Sequence, residues 1–291
     1  MRPAFPLLAF SLFASSSLDA QGIAEADWQP VAEILQATPT DGGGYVRFNF
    51  PRSDLSVRVG DVRLVTGMAL VSWAGFSGRP DSAMAMGDLV LTASELEPVT
   101  KELTAQGVDI TAIHNHLEGE LPRLHFLHFH TSGSATDIAH RLDSALKFSA
   151  TPRPVVMPTP GMLTIDSAAV FETLGRHGRA VGALAQVSFV LVPGVVSLHG
   201  APLVPTLAYA SPISIQQVSS TRAVATGDFG VTEPQLQPLL RALAAAGVAA
   251  TAVHSHLVGE EPRIYFVHFW GDAPLATLLT GLRAALDAAR K

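Results

Sequence analysis

The chain contains no cysteine. Disulfides, a thiolate nucleophile, cysteine-ligated metal and a lipid anchor on an N-terminal cysteine are therefore excluded. Charge is sparse: 15% of the 291 residues are Asp, Glu, Lys or Arg, the net charge is −6, and no basic run occurs. Such a surface has nothing to attract nucleic acid. No segment reaches about 18 uninterrupted apolar residues, the length a membrane-spanning helix needs. A Gly-x-Ser-x-Gly elbow, a Walker loop and the dinucleotide glycine fingerprint are also missing, so neither a serine nucleophile nor a nucleotide cofactor is expected. The glycines of DGGGY (Asp41–Tyr45) read as a turn.

What is present is apolar: 48% of the residues, ample for a buried core. The first residues, MRPAFPLLAFSLFASSSLDAQG, have one early Arg, an apolar run from Pro6 to Ala14, and small residues before Gln21. That layout predicts a signal peptide over residues 1–20, with export to a periplasm or the medium and no lipid anchor.

The chain also repeats itself. TAIHNHLEGELPRLHFLHF from Thr111 returns as TAVHSHLVGEEPRIYFVHF from Thr251. Met86-Gly87-Asp88 faces Thr226-Gly227-Asp228, and LTASELEPV from Leu91 faces VTEPQLQPL from Val231. A whole domain is duplicated. The first copy is expected over residues 24–150, a stiff proline-rich linker over 151–162, and a more divergent second copy over 163–291.

Each copy begins with a short helix, with Asp27 or Asp166 as its N-cap. In the first copy four strand regions follow: YVRFNF, LSVRVG with DVRLV, MALVSWAGF and AMAMGDLVLT. A helix then starts at Thr92 or Thr232, where Thr-x-x-Glu and Thr-x-x-Gln fit capping boxes, and ends near Gly107 or Gly247. Two more strands and a last helix close the copy. The class is α+β, with an antiparallel sheet and a ferredoxin-like β-α-β-β-α half.

Five of the eleven histidines fall between His114 and His130. Strand alternation puts His114 and His116 on one face, and His128 and His130 on one face of the next strand. A hairpin would set His114 directly opposite His128, roughly 5 Å away. The second copy filters this set. His254, His256, Glu260 and His268 match His114, His116, Glu120 and His128, whereas Tyr265 replaces His125 and Trp270 replaces His130. His125 and His130 therefore read as packing residues. The shared pattern, His-x-His-x3-Glu-x7-His, is a ligand set for a divalent metal: Zn, Mn, Fe or Cu. Glu120 is the fourth ligand or a base. Its likeness to the first cupin motif is at most convergence on ligand type. Two readings without metal remain open: proton transfer by paired histidines, and histidines merely satisfied within a strand.

Other candidates carry less weight. Asp88 and Asp228 could orient a histidine ring or simply sit at a bulge. Arg123 and Arg263 could bind an anion, but pairing with Glu120 and Glu260 is the better reading. Arg52 and Asp54 in Pro51-Arg52-Ser53-Asp54, with Trp73, occur only in the first copy. If one copy keeps a working pocket, it is therefore expected to be the first, with the second a scaffold or degenerate site.

FPRSDLSVRV, MAMGDLVLTASELEPV and TAIHNHLEGELPR resemble the LppY/LpqO family, a bacterial domain of unknown function. The resemblance spans about Trp28 to Leu146 and continues more weakly through the second copy. It implies an exported bacterial protein, and the missing lipobox cysteine departs from the lipidated members. No activity comes with it. The expectation is an exported envelope protein that binds a divalent metal. The alternative is a non-enzymatic envelope module for a sugar, peptide or small acid. A small molecule or envelope component is the partner expected, and the oligomeric state stays open.

Overall fold

The computed structural model describes residues 25–156 and 163–290. The expected signal peptide (1–20) and residues 157–162 of the expected linker lie outside the described residues.

The first repeat opens with a 3-10 turn (Glu25–Trp28) and α1 (Gln29–Leu35). Asp27 is not the cap: it lies inside the 3-10 turn, and Trp28 precedes α1. Strands β1 (Pro39–Asp41), β2 (Val46–Pro51), β3 (Arg58–Val59), β4 (Val62–Arg63), β5 (Val71–Arg79) and β6 (Ser82–Thr92) follow. Next come α2 (Ala93–Ala105), β7 (Asp109–His114), β8 (Glu120–Leu121), β9 (Leu124–Gly133) and α3 (Ala135–Leu146). The second repeat runs α4 (Ser167–Leu174), β10 (Arg179–Val181), β11 (Leu184–Phe189), β12 (Ser197–Leu198), β13 (Ala201–Pro202), α5 (Pro205–Ala208), β14 (Ser211–Gln217) and β15 (Ala223–Val231). It ends with α6 (Glu233–Ala245), β16 (Ala249–His254), β17 (Glu260–Glu261), β18 (Tyr265–Ala273) and α7 (Leu275–Ala289).

Local chemistry sets the helix ends. Thr92 and Thr232 form full capping boxes with Glu95 and Gln235. Asp166 Oδ1 accepts from Ala169 N at 3.0 Å, capping α4. Gly107 and Gly247, with φ +70° and +69°, take the left-handed turn that ends α2 and α6.

Each repeat holds a six-stranded antiparallel sheet, ordered β1-β2-β5-β6-β9-β7 and β10-β11-β14-β15-β18-β16. The long helices of each repeat cover one face of its own sheet. In the first repeat Val31, Val99, Leu103, Ile138 and Leu142 pack on Phe48, Phe76, Leu89, Leu127 and Phe129. The second repeat has the equivalent core.

The other face of each sheet is covered by the other repeat. The arm of the second repeat brings Leu198, Leu203 and Leu207 onto Tyr45 and Met86. Reciprocally, Val57, Val62 and Leu64 from the first repeat's arm cluster with Val224. Polar contacts register the exchange: Gln216 Oε1 accepts from Val65 N (2.9 Å), and Gln216 Nε2 donates to Arg63 O (2.8 Å).

Candidate metal centre shared by the two repeats

Two strands in each repeat aim the imidazoles inward. On β9, Phe126, His128 and His130 share the face that turns away from the helices, because Leu127 and Phe129 are in the helix-side core. On β7 the alternation is interrupted. Ile110 pairs with Phe129, then Ala112 with His128, so Thr111 is an extra residue in a β-bulge. Thr251 does the same between Ala250 and Ala252. The bulge turns the rest of β7 over, putting His114 on the face of His128 rather than among the helix-side residues. It also corrects the expected pairing. His114 lies opposite Phe126, and His128 lies opposite Ala112, so the two histidines are diagonal neighbours.

Asp88 sits directly opposite His128 across β6 and β9, and Asp228 opposite His268 across β15 and β18. The glycine before each aspartate is required by packing. A Cβ on Gly87 would lie 2.2 Å from Trp73 O and 2.6 Å from the Phe129 ring, and one on Gly227 would lie 2.1 Å from Pro212 O.

The two histidine sets do not form separate sites. His114 and His254 have ring centroids 3.9 Å apart, His116 and His268 3.8 Å, and His128 and His256 3.7 Å. His114 meets its own counterpart, and the His116–His268 and His256–His128 pairs interchange when the repeats are swapped, the signature of a two-fold, isologous contact. The expectation of one working copy and one scaffold copy is thus replaced by a single cluster built from both. Thr251 Oγ1, in the second repeat's bulge, donates to His116 O at 2.7 Å and ties the halves together at this point.

Donor atoms converge here. His114, His116 and His128 form one group with ligand atoms within 4.8 Å of one another; His114, His254, His256 and His268 form a second; His116, Asp228 and His268 form a third. His116 Nε2 and His128 Nε2 lie 3.8 and 3.9 Å from Asp88 Oδ2, and His116 Nδ1 lies 3.9 Å from Asp228 Oδ1. His268 Nδ1 is in close contact with Asp228 Oδ1.

Burial dominates the electrostatics. It holds the imidazoles of His116, His128 and His256 far below their ordinary value, and neighbouring histidines push the same way. His114 is lowered for the same reasons, and His254 is lowered to about 3. Burial, then repulsion from Asp228, pushes the Asp88 carboxyl well up. The cluster is therefore rich in neutral imidazole, the form that ligates a metal. It is also poor in internal partners. His114 Nε2, His116 Nε2, His128 Nε2, His254 Nδ1, His256 Nε2 and Asp88 Oδ1 are buried without a hydrogen bond. Leaving so many polar atoms unpaired in one place is costly unless something binds them.

Other expected site residues have other roles. Glu120 belongs to none of the donor groups among the described residues. It lies on β8, which pairs with β3 outside the main sheet, and its Oε1 accepts from Leu124 N at 3.1 Å with Arg123 Nε 3.8 Å away. Glu260 repeats this with Ile264 N (3.1 Å) and Arg263 Nε (3.5 Å). These carboxylates close the turn before β9 and β18, apart from the histidine groups.

Arg52 and Asp54 are not a pocket either. Arg52 is completely buried; it donates to Val90 O (2.6 Å), to both oxygens of Asp54 (2.9 and 2.8 Å) and to both of Glu95 (2.8 and 3.1 Å). Glu95 also accepts from Thr92 N and Ala150 N, so the network locks β2, the start of α2 and the chain after α3 together. Trp73 lies beneath the Arg47 guanidinium, 4.1 Å from it. His125 faces Leu91 across the strands, on the helix side, away from the cluster.

The family description Domain of Unknown Function (DUF1259) matches residues 29–148 and again residues 168–288. The chain belongs to the DUF1259 family. Both copies of the cluster's histidines and aspartates lie inside the matched DUF1259 segments. No curated protein matches the chain. Solved structures similar to this DUF1259 protein include a double-ringed trimeric shell protein from the RMM microcompartment, at 10% identity and TM-score 0.21, covering 83% of this chain and 92% of that one. A fused permuted hexameric shell protein from the same microcompartment has 16% identity and TM-score 0.19, covering 72% and 83%. EtuB from Clostridium kluyveri has 11% identity and TM-score 0.22, covering 87% and 90%. At these TM-scores nothing about the fold, assembly or function of this chain follows from them.

Proposed function

We propose that this protein binds a divalent cation at a site its two repeats build jointly. His114, His116, His128, His254, His256 and His268 supply nitrogen donors, and Asp88 and Asp228 supply carboxylates that ligate or orient the rings. The supporting observation is the convergence of buried, unpaired, neutral donors from both repeats on one point. A cation would satisfy these atoms and let Asp88 stay ionised despite its burial. Six imidazoles with carboxylates and no thiolate suit Zn, Fe, Cu or Mn rather than a soft-metal site.

The reading is metal-handling or metal-stapled architecture rather than turnover of a sizeable substrate. The two described grooves are lined by residues other than the eight of the cluster. The alternative of a sugar, peptide or acid pocket loses its main support, because Arg52 and Asp54 are already paired. The N-terminal leader supports export to the cell envelope, and the quoted motifs support the finer LppY/LpqO assignment. The order β6-β9-β7, with α2 crossing between β6 and β7, supports a ferredoxin-like half in each repeat.

The test is metal analysis of purified, metal-supplemented protein beside a His114→Ala/His254→Ala double variant. The wild type should carry at least one ion per chain and the variant at least tenfold less. Near-zero metal in both, after supplementation, sinks the reading.

A further inference from the structure

The pseudo-two-fold relation gives the repeat interface two rims, and they differ. One is clamped. Asp61, in the turn after β3, accepts from Arg222 of the second repeat at 2.7 and 3.0 Å, and Arg222 also holds Asp272 at 2.7 and 2.6 Å. Trp270 packs against the apolar cluster at this rim.

At the other rim each of these residues is replaced. Gly200 stands for Asp61, Ser82 for Arg222, Ser132 for Asp272 and His130 for Trp270. A groove of about 270 Å³ lies there, lined by Asp109, His130 and His199 with walls from Leu198, Leu257 and Val258. Asp109 and His130 face each other directly across β7 and β9. Their counterparts at the clamped rim are Ala249 and Trp270, and that of His199 is Gly60.

His199 is the informative residue. It holds a left-handed backbone, φ +51°, where the first repeat uses Gly60 at +57°. A side chain is disfavoured there, because its Cβ crowds the following carbonyl oxygen. The turn itself does not need an imidazole, since the first repeat makes it with glycine. Space for the ring comes from Gly259: a Cβ added there would lie 2.9 Å from His199 Cε1. His130 is two residues from His128 on the same strand face, which places the groove about 7 Å along β9 from the buried cluster.

We propose that this groove is the port through which a divalent cation reaches and leaves the buried cluster, with Asp109, His130 and His199 as its transient capture site. The proposal rests on the metal reading above. The three residues do not form one of the close donor groups among the described residues. That suits capture and release better than retention. At roughly 30 Å³ per water the groove has room for a cation that keeps several of its waters.

The test is the rate of loading. Chelator-stripped protein is mixed with Co²⁺, and its visible absorption is followed by stopped flow; release is followed by adding excess chelator. Copying the clamped rim onto the open one, His130→Trp with His199→Gly, should slow uptake and release by the same factor, tenfold or more, with unchanged final cobalt. A port alters both rates equally, whereas a ligand alters their ratio. Asp109→Ala, a milder change on an exposed strand end, should slow both several-fold, and Arg222→Gln at the clamped rim should match wild type. Full loading at wild-type rates in both port variants overturns the port and leaves the metal reading standing. No cobalt in wild type, even when refolded in its presence, overturns the metal reading and the port with it.

Discussion

Acid should weaken the metal-free protein steeply, and the size of the effect can be worked from the cluster. His114, His116, His128, His254 and His256 are all lowered from the ordinary histidine value of 6.5. A depressed histidine leaves the unfolded chain to bind the proton first. Its contribution is therefore fully present above pH 6.5 and is lost as pH falls towards the folded-state value. Between pH 7 and 5.5 each such group costs slightly over 1 kcal/mol, or about 6 kcal/mol for five. Asp88 works the other way. Its folded-state carboxyl is raised, so acidification removes a penalty it imposes at neutral pH and offsets part of the loss over the same window. A net loss of several kcal/mol remains, a large share of the roughly 5–15 kcal/mol that holds a typical domain folded. Urea unfolding in chelator, followed by circular dichroism at half-unit pH steps, measures it. A change below about 1 kcal/mol from pH 7 to 5.5 would falsify the picture of a buried, neutral imidazole cluster. Zinc at a thousand times its dissociation constant should add about 4 kcal/mol at pH 7, and less as protons compete for the same nitrogens.

Other predictions separate ligands from scaffold. Arg52→Met should cost about 3–5 kcal/mol, because Glu95 stays buried without its cation, while bound metal per folded chain is unchanged. Glu120→Gln should likewise keep full metal occupancy, and Glu120→Ala should lower stability by about 1–3 kcal/mol through the orphaned Leu124 N–H; a large metal loss in the glutamine variant would restore Glu120 as a ligand. Gly87→Ala drives a methyl into the Trp73 carbonyl and should cost about 1–3 kcal/mol or more and weaken metal binding, since Asp88 is the next residue. Thermal melts and metal analysis on the same samples read all four.

Much of the local structure was legible. Thr92-x-x-Glu95 and Thr232-x-x-Gln235 announced their helices, and Gly107 and Gly247 their ends, because capping and left-handed turns are short-range chemistry. The repeat itself sorted His114, His116 and His128 from His125. Four things were hidden. A bulge at Thr111 has no side-chain signature, so the pairing of His114 came out two residues wrong. Asp88 is far from His128 in sequence, and only the β6–β9 register makes them neighbours; the Gly-Asp dipeptide retained in both copies was the available hint. Glu95 read as a capping residue alone, which left Arg52 apparently free for a ligand. The signal was Gln235, which replaces Glu95 in the copy that lacks the arginine. Lastly, a shared site depends on how two faces dock. The clue was that both copies keep the same three histidines, which a degenerate scaffold copy has no reason to retain.

The left-handed turn at His199 has a consequence for how such a molecule can evolve. Two separate identical chains meeting on a two-fold axis must write every change at both rims. A histidine gained at one mouth appears at the other, and a tryptophan plug closes both. Joining the copies in one chain removes that constraint. The central histidines stay matched, because both halves face the same point, while the rims are free to specialise: one becomes a clamp and the other a doorway.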